Sequence, residues 1–321
     1  MKKCMAIGEA LIDFIPGESG KGIAGVSSFS PKVGGAPANV CGAFAKLGGD
    51  AAMITQLGDD PFGDKIEEEL SGYGIDTSYI RRTSRANTSL AFVALKDDGN
   101  REFSFYRKPG ADMLYSEENL KPQMFRDVFC LHFCSVSLGD FPMGRAHKKA
   151  VSLAKEQGAI ISFDPNLRFN LWEDQLALKD AVLSYLPLAH IVKISDEELF
   201  FITGRKRIED AVSNLFEGET KLVIYTMGKD GAMAFTQNAR AFSPSVKPEK
   251  VVDTTGAGDG FMGSFLYQLA AWDVTPRGLS KLSEAQLKEA LDFSNAFCSK
   301  SIGGEGAIPS YPTMEEMKCL N

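Results

Sequence analysis

The chain has 321 residues, 44% hydrophobic and 24% charged, with 42 acidic against 35 basic side chains and a formal charge of −7. These are the totals of an ordinary globular protein with room for a large α/β core, and they argue against a general polyanion binder while leaving room for a small local phosphate site. No run approaches the roughly 20 apolar residues that span a bilayer.

Lys2 and Lys3 imitate the start of a signal peptide, but Glu9 and Asp13 break the apolar stretch behind them, so the expected location is the cytoplasm. The six cysteines, at 4, 41, 130, 134, 298 and 319, sit in apolar or small-residue surroundings and read as reduced thiols. Cys130 and Cys134 lack the spacing and supporting ligands of a zinc motif, and three histidines leave little for a histidine-rich metal centre.

In chain order, residues 4–7 predict a short buried strand that turns at Gly8 and leaves through Glu9 and Asp13. A glycine- and serine-rich stretch reads as loop or irregular edge strands. The bend Gly34-Gly35-Ala36-Pro37-Ala38-Asn39 then opens a helix of small residues over 38–47, closed by Gly48-Gly49. A strand over 51–56 and a helix over 64–72 follow. Residues 89–95 and 101–106, joined by a turn at 96–100, form the best hairpin of the chain. Beyond it, strands over 128–132, 159–164, 191–194 and 222–226 alternate with helices over 144–157, 172–186, 196–203 and 208–216. That alternation predicts a mainly parallel sheet covered by helices, with 231–235 turning back against it. Residues 14–31 and 88–108 lack a convincing helix and together predict a discontinuous β-sheet lid on a single domain spanning 1–321.

The sharpest chemical signal is Val251-Val252-Asp253-Thr254-Thr255-Gly256-Ala257-Gly258-Asp259-Gly260-Phe261. Phe261, Phe265 and Leu269 recur every four residues, so a glycine-rich loop feeds a buried helix. The amides of Gly256, Ala257 and Gly258 are unpaired donors at the positive end of that helix, which suits an oxyanion. Asp259 adds a carboxylate at the same mouth. Phosphoryl transfer needs a group that holds an attacking hydroxyl in line and takes its proton, beside donors that stabilise the transferring oxygens. An acidic first-turn residue that only stabilises its helix is the bland alternative. The loop lacks the Gly-Lys-Ser/Thr of a Walker A sequence and does not follow an amino-terminal strand as a dinucleotide fingerprint would.

Elsewhere, Ser195 and Glu198 have the spacing of a helix capping box. Asp164, before Pro165-Asn166, is a carboxylate at a strand exit, where doubly wound sheets gather their sites, or a simple Asp-Pro turn. Asp13, Gly34, Gly35 and Asn39 combine acceptors, donors and approachable backbone, as a small polyol requires. Phe92 and Phe105, on the hairpin, cover a sugar face or pack the lid or a partner subunit, and Arg107 faces the acceptor or solvent.

Residues 251–263 resemble the carboxyl-terminal signature of the ribokinase-like, or PfkB-type, carbohydrate kinases, and residues 34–39 resemble the amino-terminal signature of the same family. The two occur in the right order, and the resemblance extends over essentially the whole chain, nearest the bacterial fructokinase group. It implies a ribokinase-like, Rossmann-type three-layer α/β core with a small β-sheet lid. It also implies ATP and Mg2+ as cofactors, with K+ as a further ion. On that resemblance Asp259 is the catalytic base and residues 256–258 form the anion hole. Asp13, Gly34, Gly35, Asn39, Phe92, Phe105 and Arg107 lie on the sugar side. Thr226, Gly228, Gly231, Asn295, Ala296, Gly304 and Gly306 belong to the nucleotide wall, and Asp253 and Thr255 to the monovalent-cation position. Glu198 and Asp164 fall on the magnesium side, Glu198 acting through water, although Ser195 stands where the family's motif has asparagine.

The expected reaction is phosphorylation of a sugar hydroxyl, foremost fructose to fructose 6-phosphate. Ribose, 2-keto-3-deoxygluconate, an aminoimidazole riboside and a nucleoside remain as same-fold competitors. A catalytically weak sugar or nucleotide sensor is the reading from another class. No nucleic acid polymer or membrane is expected as partner, and a homodimer through the lid is.

Overall fold

The computed structural model describes residues 2–18, 20–95 and 101–319; the hairpin turn expected at 96–100 lies outside them. The chain opens with β1 (Lys3–Ile7), turns at Gly8 and enters β2 (Leu11–Pro16), β3 (Phe29–Gly34) and the helix α1 (Ala36–Lys46). Next come β4 (Ala51–Gly58), α2 (Pro61–Gly72), β5 (Ile75–Asp76), β6 (Ile80–Thr83), β7 (Leu90–Leu95) and β8 (Arg101–Tyr106). The strands β9 (Val128–Cys134), β10 (Ile160–Asp164), β11 (Ile191–Ser195) and β12 (Leu222–Thr226) then alternate with α3 (Pro142–Glu156), α4 (Gln175–Tyr185), α5 (Asp196–Thr203) and α6 (Val212–Leu215). The chain closes with β13 (Ala232–Phe235), β14 (Arg240–Ser243), α7 (Ala257–Ala271), α8 (Glu284–Ser301) and α9 (Met314–Lys318).

The main sheet runs β14-β13-β12-β11-β10-β9-β1-β4-β5, with β6 also paired to β4. It is parallel from β12 to β6 and antiparallel at the β13–β14 edge. Side chains on successive strand residues face opposite sides, and both sides are covered. Ala6, Met53, Cys130, Ile160, Ile191 and Ile224 pack under α1, α7 and α8. Their neighbours Ile7, Ile54, Leu131, Ile161, Val192 and Val223 pack under α3, α4 and α5. The result is the expected three-layer α/β core. Because β1 is followed by β4 on one side and flanked by β9 on the other, the sheet has a switch point beyond the carboxyl ends of β1 and β9.

The accessory sheet, in order β3-β2-β7-β8, pairs β2 with β3 antiparallel, β2 with β7 parallel and β7 with β8 antiparallel. Its first two strands run over 11–16 and 29–34, further toward the core than the 14–31 expected, so Asp13, beyond the first core strand as expected, lies inside a lid strand. The helix expected over 208–216 is only a 3-10 turn at Ile208–Asp210 followed by α6. The long helix α8 has no counterpart among the expected elements, although Ser283 and Gln286 form a capping box at its start. The described cysteines are free thiols, with Cys4, Cys41, Cys130 and Cys134 buried. Among the described residues no helix is long and apolar enough to cross a membrane.

Candidate active site

Where β1, β9, β10 and β11 end and the lid begins, a cleft of about 1200 Å³ opens. The loop before α7 forms its phosphate-like end. Gly256 caps α7 with φ 73°, and a Cβ there would lie 2.4 Å from the Ala307 Cβ and 2.7 Å from the Tyr311 hydroxyl, so conformation and space both demand glycine. Tyr311 donates to the Gly256 carbonyl at 2.7 Å and braces the turn from behind. The Ala257 amide donates to the Thr254 carbonyl at 3.2 Å, whereas the Gly258 and Asp259 amides have no backbone acceptor among the described residues. One of the three amides expected to form an anion hole therefore closes the turn, and the helix start itself supplies donors.

Asp259 is buried, with 7% of its surface exposed. Its two oxygens are held separately: Asn39 Nδ2 donates to Oδ2 at 2.9 Å and Asn166 Nδ2 to Oδ1 at 3.2 Å. Asn39 reaches it because α1 and α7 cross closely. A Cβ at Gly263 would sit 2.6 Å from both the Ala43 Cβ and the Val40 carbonyl, so only glycine permits that approach. Burial raises the Asp259 carboxyl above its usual range; the Asn39 hydrogen bond opposes the rise, and the negative charge of Asp164 adds to it.

Asp164, at the end of β10, accepts from Lys193 Nζ at 2.6 Å and from the Asn166 amide at 3.1 Å. Burial alone would lower the Lys193 ammonium, but the charges of Asp164 and Glu198 outweigh it and hold the group above its ordinary value. A Cβ on Gly258 would lie 3.7 Å from Lys193 Nζ, so this cation stands directly before the helix start. Glu198 is buried and committed: one oxygen accepts from the Leu167 amide at 2.8 Å and the other from the Ser195 amide at 2.8 Å. Its exposed neighbour Glu197 is the residue that lines the cleft.

Asp13 faces the same cleft from the lid. Burial pushes its carboxyl up to about 7, against Arg168 and with help from Asp259 and Asp253. A Cβ on Gly34 would fall 2.1 Å from Asp13 Oδ2, and one on Gly35, at φ 107°, 2.6 Å from the Glu9 carbonyl. These two glycines let the chain pass behind the carboxylate. The hairpin aromatics separate by strand parity: Phe105 lines the cleft with Phe103, whereas Phe92 stacks on Phe14 on the opposite face of the lid. Arg107 does not line the cleft. Its Nε donates to buried Asp112 at 2.9 Å, and its Nη2 reaches both Asp112 and the Ser137 hydroxyl.

On the opposite flank, Thr226 ends β12 beside Ser195, while Gly228 and Gly231 carry positive φ. They lie outside the cleft proper, with Asn295 and Ala296 of α8 and with Gly304. The Asn295 side-chain amide is engaged, donating to the Ser243 carbonyl at 3.1 Å and its hydroxyl at 2.9 Å. Gly306 does line the cleft, and its amide donates to Asp253 Oδ2 at 3.0 Å. Asp253 Oδ1 accepts from the Thr255 amide at 2.9 Å and hydroxyl at 2.6 Å. The Asp253–Thr255 pair is thus a hydrogen-bonded turn. Several cleft residues escape the sequence reading, among them Lys193, Asn166 and Arg168. The signal for two of them is present in Asp164-Pro165-Asn166-Leu167-Arg168, a polar run leaving an apolar strand.

The model of the pfkB family carbohydrate kinases matches residues 1–314. The chain belongs to that family. Among its relatives, Fructokinase-1 of Oryza sativa subsp. japonica is 40% identical over 314 residues, covering 98% of this chain and 95% of the relative. The crystal structure of a fructokinase from Xylella fastidiosa with bound ATP matches with a TM-score of 0.88 at 32% identity, covering 99% of this chain and 97% of that one. A fructokinase from Vibrio cholerae O395, bound to fructose, ADP and calcium ion, matches with a TM-score of 0.85 at 31% identity over 99% and 98% of the two chains. This carbohydrate kinase therefore has the ribokinase-like α/β fold with an accessory β-sheet, and it is an ATP-dependent sugar kinase.

Proposed function

We propose that the chain transfers the γ-phosphoryl group of ATP to the primary 6-hydroxyl of fructose, giving fructose 6-phosphate and ADP. The observation that carries this reading is the position of Asp259: a buried carboxylate at the start of α7, gripped on both oxygens by Asn39 and Asn166, in a cleft whose other end carries Asp13. Fructose is supported by the similarity to fructokinases over nearly the full chain.

In this reading Asp13, Asn39 and the backbone at Gly34 and Gly35 bind the sugar and present one hydroxyl to Asp259. The two asparagines fix the carboxylate, so little reorientation is needed during reaction. As the sugar oxygen bonds to phosphorus and the bond to the ADP oxygen breaks, the hydroxyl proton passes to Asp259. Burial makes that carboxylate a better proton acceptor than one in water. The Gly258 and Asp259 amides and the Lys193 ammonium stabilise charge on the transferring oxygens. Thr226, Gly228, Gly231, Asn295, Ala296, Gly304 and Gly306 flank the nucleotide, with Asn295 shaping the wall through its hold on the Ser243 segment.

Magnesium bound with the nucleotide neutralises phosphate charge. Among the described residues no three acidic, histidine or cysteine side chains converge on one point. The donor set fits an ion held mainly by phosphate oxygens and water. Glu198, with both oxygens on backbone amides, would reach it through water, beside Glu197 and Asp164. A monovalent cation near Asp253 and Thr255 would draw on carbonyl oxygens, since their side chains close their own turn.

The test is release of ADP from MgATP in the presence of fructose, ribose, glucose, 2-keto-3-deoxygluconate, aminoimidazole riboside or adenosine. The highest kcat/KM is expected with fructose, with fructose 6-phosphate as product. A higher kcat/KM for another acceptor would replace fructose with that compound, and binding without turnover across the panel would make the protein a sensor.

A further inference from the structure

A chain of buried polar groups joins the roots of the lid to the cleft. Ser89, just before β7, donates to Asp112 Oδ1, and Arg107, just after β8, donates to Asp112 Oδ2. Gly110 packs between them, where a Cβ would lie 1.9 Å from the Ser89 hydroxyl oxygen. Arg107 Nη2 also donates to Ser137 Oγ at 3.1 Å, and Ser137 donates in turn to Glu9 Oε2 at 2.9 Å. Glu9 sits between β1 and β2, is 2% exposed, and lines the cleft with Asp13, Gly35, Asn39 and Val136.

Charge within this chain is uneven. One guanidinium faces two carboxylates, and its short contacts go to Asp112, so among the described side chains only the Ser137 hydroxyl donates to Glu9, beside a backbone hydrogen bond from its own residue. A carboxylate accepts at about four lone-pair positions. Burying it with so few donors costs free energy, and burial pushes Glu9 up to about 7 against the opposing charge of Arg107. A site with unfilled acceptors facing a cleft is completed by a ligand that brings O–H donors, which a neutral sugar does. The remainder of the chain fixes the direction of the carboxylate, because Ser137 is held by Arg107 and Arg107 by Asp112.

We propose that Glu9 is a second sugar-binding carboxylate beside Asp13, accepting one acceptor hydroxyl that is not phosphorylated, and that Ser137, Arg107 and Asp112 are positioning residues for it. The proposal rests on the reading of the Asp13 end as the acceptor site. It also gives Arg107 a role that its distance from the cleft would otherwise deny.

The experiment measures fructose binding by calorimetry and KM values for fructose and MgATP in wild type, Glu9→Gln, Ser137→Ala and Asp13→Ala. Fructose analogues lacking one hydroxyl each, with the 6-hydroxyl retained, are bound to the same proteins. Glu9→Gln should weaken fructose tenfold or more and Ser137→Ala three- to tenfold, with KM for MgATP within twofold of wild type. One deoxy analogue should bind Glu9→Gln and wild type alike, because the hydroxyl it lacks is the one that Glu9 receives. Fructose affinity within twofold of wild type in Glu9→Gln, or the same penalty for every analogue in both proteins, overturns the proposal. If Glu9→Gln does not fold, Ser137→Ala decides by the same split between fructose and MgATP. Weakened binding in Asp13→Ala with none in Glu9→Gln defeats this proposal alone, whereas unchanged binding in Asp13→Ala defeats the acceptor-site reading beneath it.

Discussion

Replacing Asp259 with asparagine removes the proton acceptor while keeping the shape of the side chain. In the folded protein, Asn39 and Asn166 donate to its two oxygens at 2.9 and 3.2 Å. The new amide can receive only one of them and turns an N–H group toward the other, a loss of about 1 kcal/mol. Against this, the variant no longer buries a charge or sets it against Asp164, the causes that raise the Asp259 carboxyl. The two effects oppose each other, so the melting temperature should stay within about 5 °C of wild type. Turnover has no such compensation. Loss of a positioned proton acceptor should lower kcat by about 10²- to 10⁴-fold, or about 3 to 5 kcal/mol of barrier. The assay couples ADP release to a chromogenic reaction at saturating fructose and MgATP, alongside calorimetric melting and nucleotide binding. A kcat reduced less than tenfold would refute the catalytic role. A large fall in melting temperature together with lost ATP binding would return Asp259 to a first-turn acid that only stabilises its helix.

Asp13 titrates near 7 in the folded protein, against about 4 for a free aspartate. Between those values the folded state holds the extra proton, so the stability this group contributes falls as pH rises from about 4 to about 7; Asp13→Asn should flatten that part of the pH–melting curve, and an unchanged curve would contradict it. Gly34→Ala places a Cβ 2.1 Å from Asp13 Oδ2 and should raise the fructose KM tenfold or more with the MgATP KM unchanged, whereas equal changes in both would point to a general folding defect. Gly263→Leu forces α1 from α7 at a contact of 2.6 Å, which should cost about 1–3 kcal/mol and lower kcat by moving Asn39 off Asp259; full activity would show that the crossing does not set that hydrogen bond. Tyr106 is 64% exposed and edges onto Phe92 on the outer lid face, so sedimentation should give a dimer that Tyr106→Glu weakens, and a wild-type monomer at assay concentration would remove the lid-mediated pairing.

Features local to the chain are legible in the order of its residues. The glycine turn at 256–258 is one, because the positive φ at Gly256 and the four-residue apolar repeat after it are properties of a few consecutive residues. The capping box of Ser195 and Glu198 is another, and it forms with both oxygens of Glu198 engaged. The start of α8 carries the same cap signature in Ser283 and Gln286, so that helix too has a local signal. Phe92 and Phe105 mark where such signals stop. Both are aromatic residues of one hairpin, but Phe92 pairs with Ser104 and Phe105 with Ala91; paired residues share a face and consecutive residues alternate, so the pleat sends the two rings to opposite faces.

From its own order of residues, this chain determined the alternating apolar segments of the core sheet, the two glycine bends and the carboxylate behind the second. Each depends on neighbours within one turn or one strand, where backbone conformation and hydrophobic period act directly. The tertiary structure decided which distant groups share one space: Asn39 and Asn166 on Asp259, Lys193 on Asp164, Asp112 on Arg107. Asn39 and Asp259 are separated by 220 positions in sequence and 2.9 Å in space. What joins them is the close crossing of two helices at Gly263 and Ala43, a packing fact that no local pattern contains. Arg107 likewise leaves the expected sugar side for the buried footing of the lid, where Asp112, five residues on, and Ser137, thirty residues on, hold it.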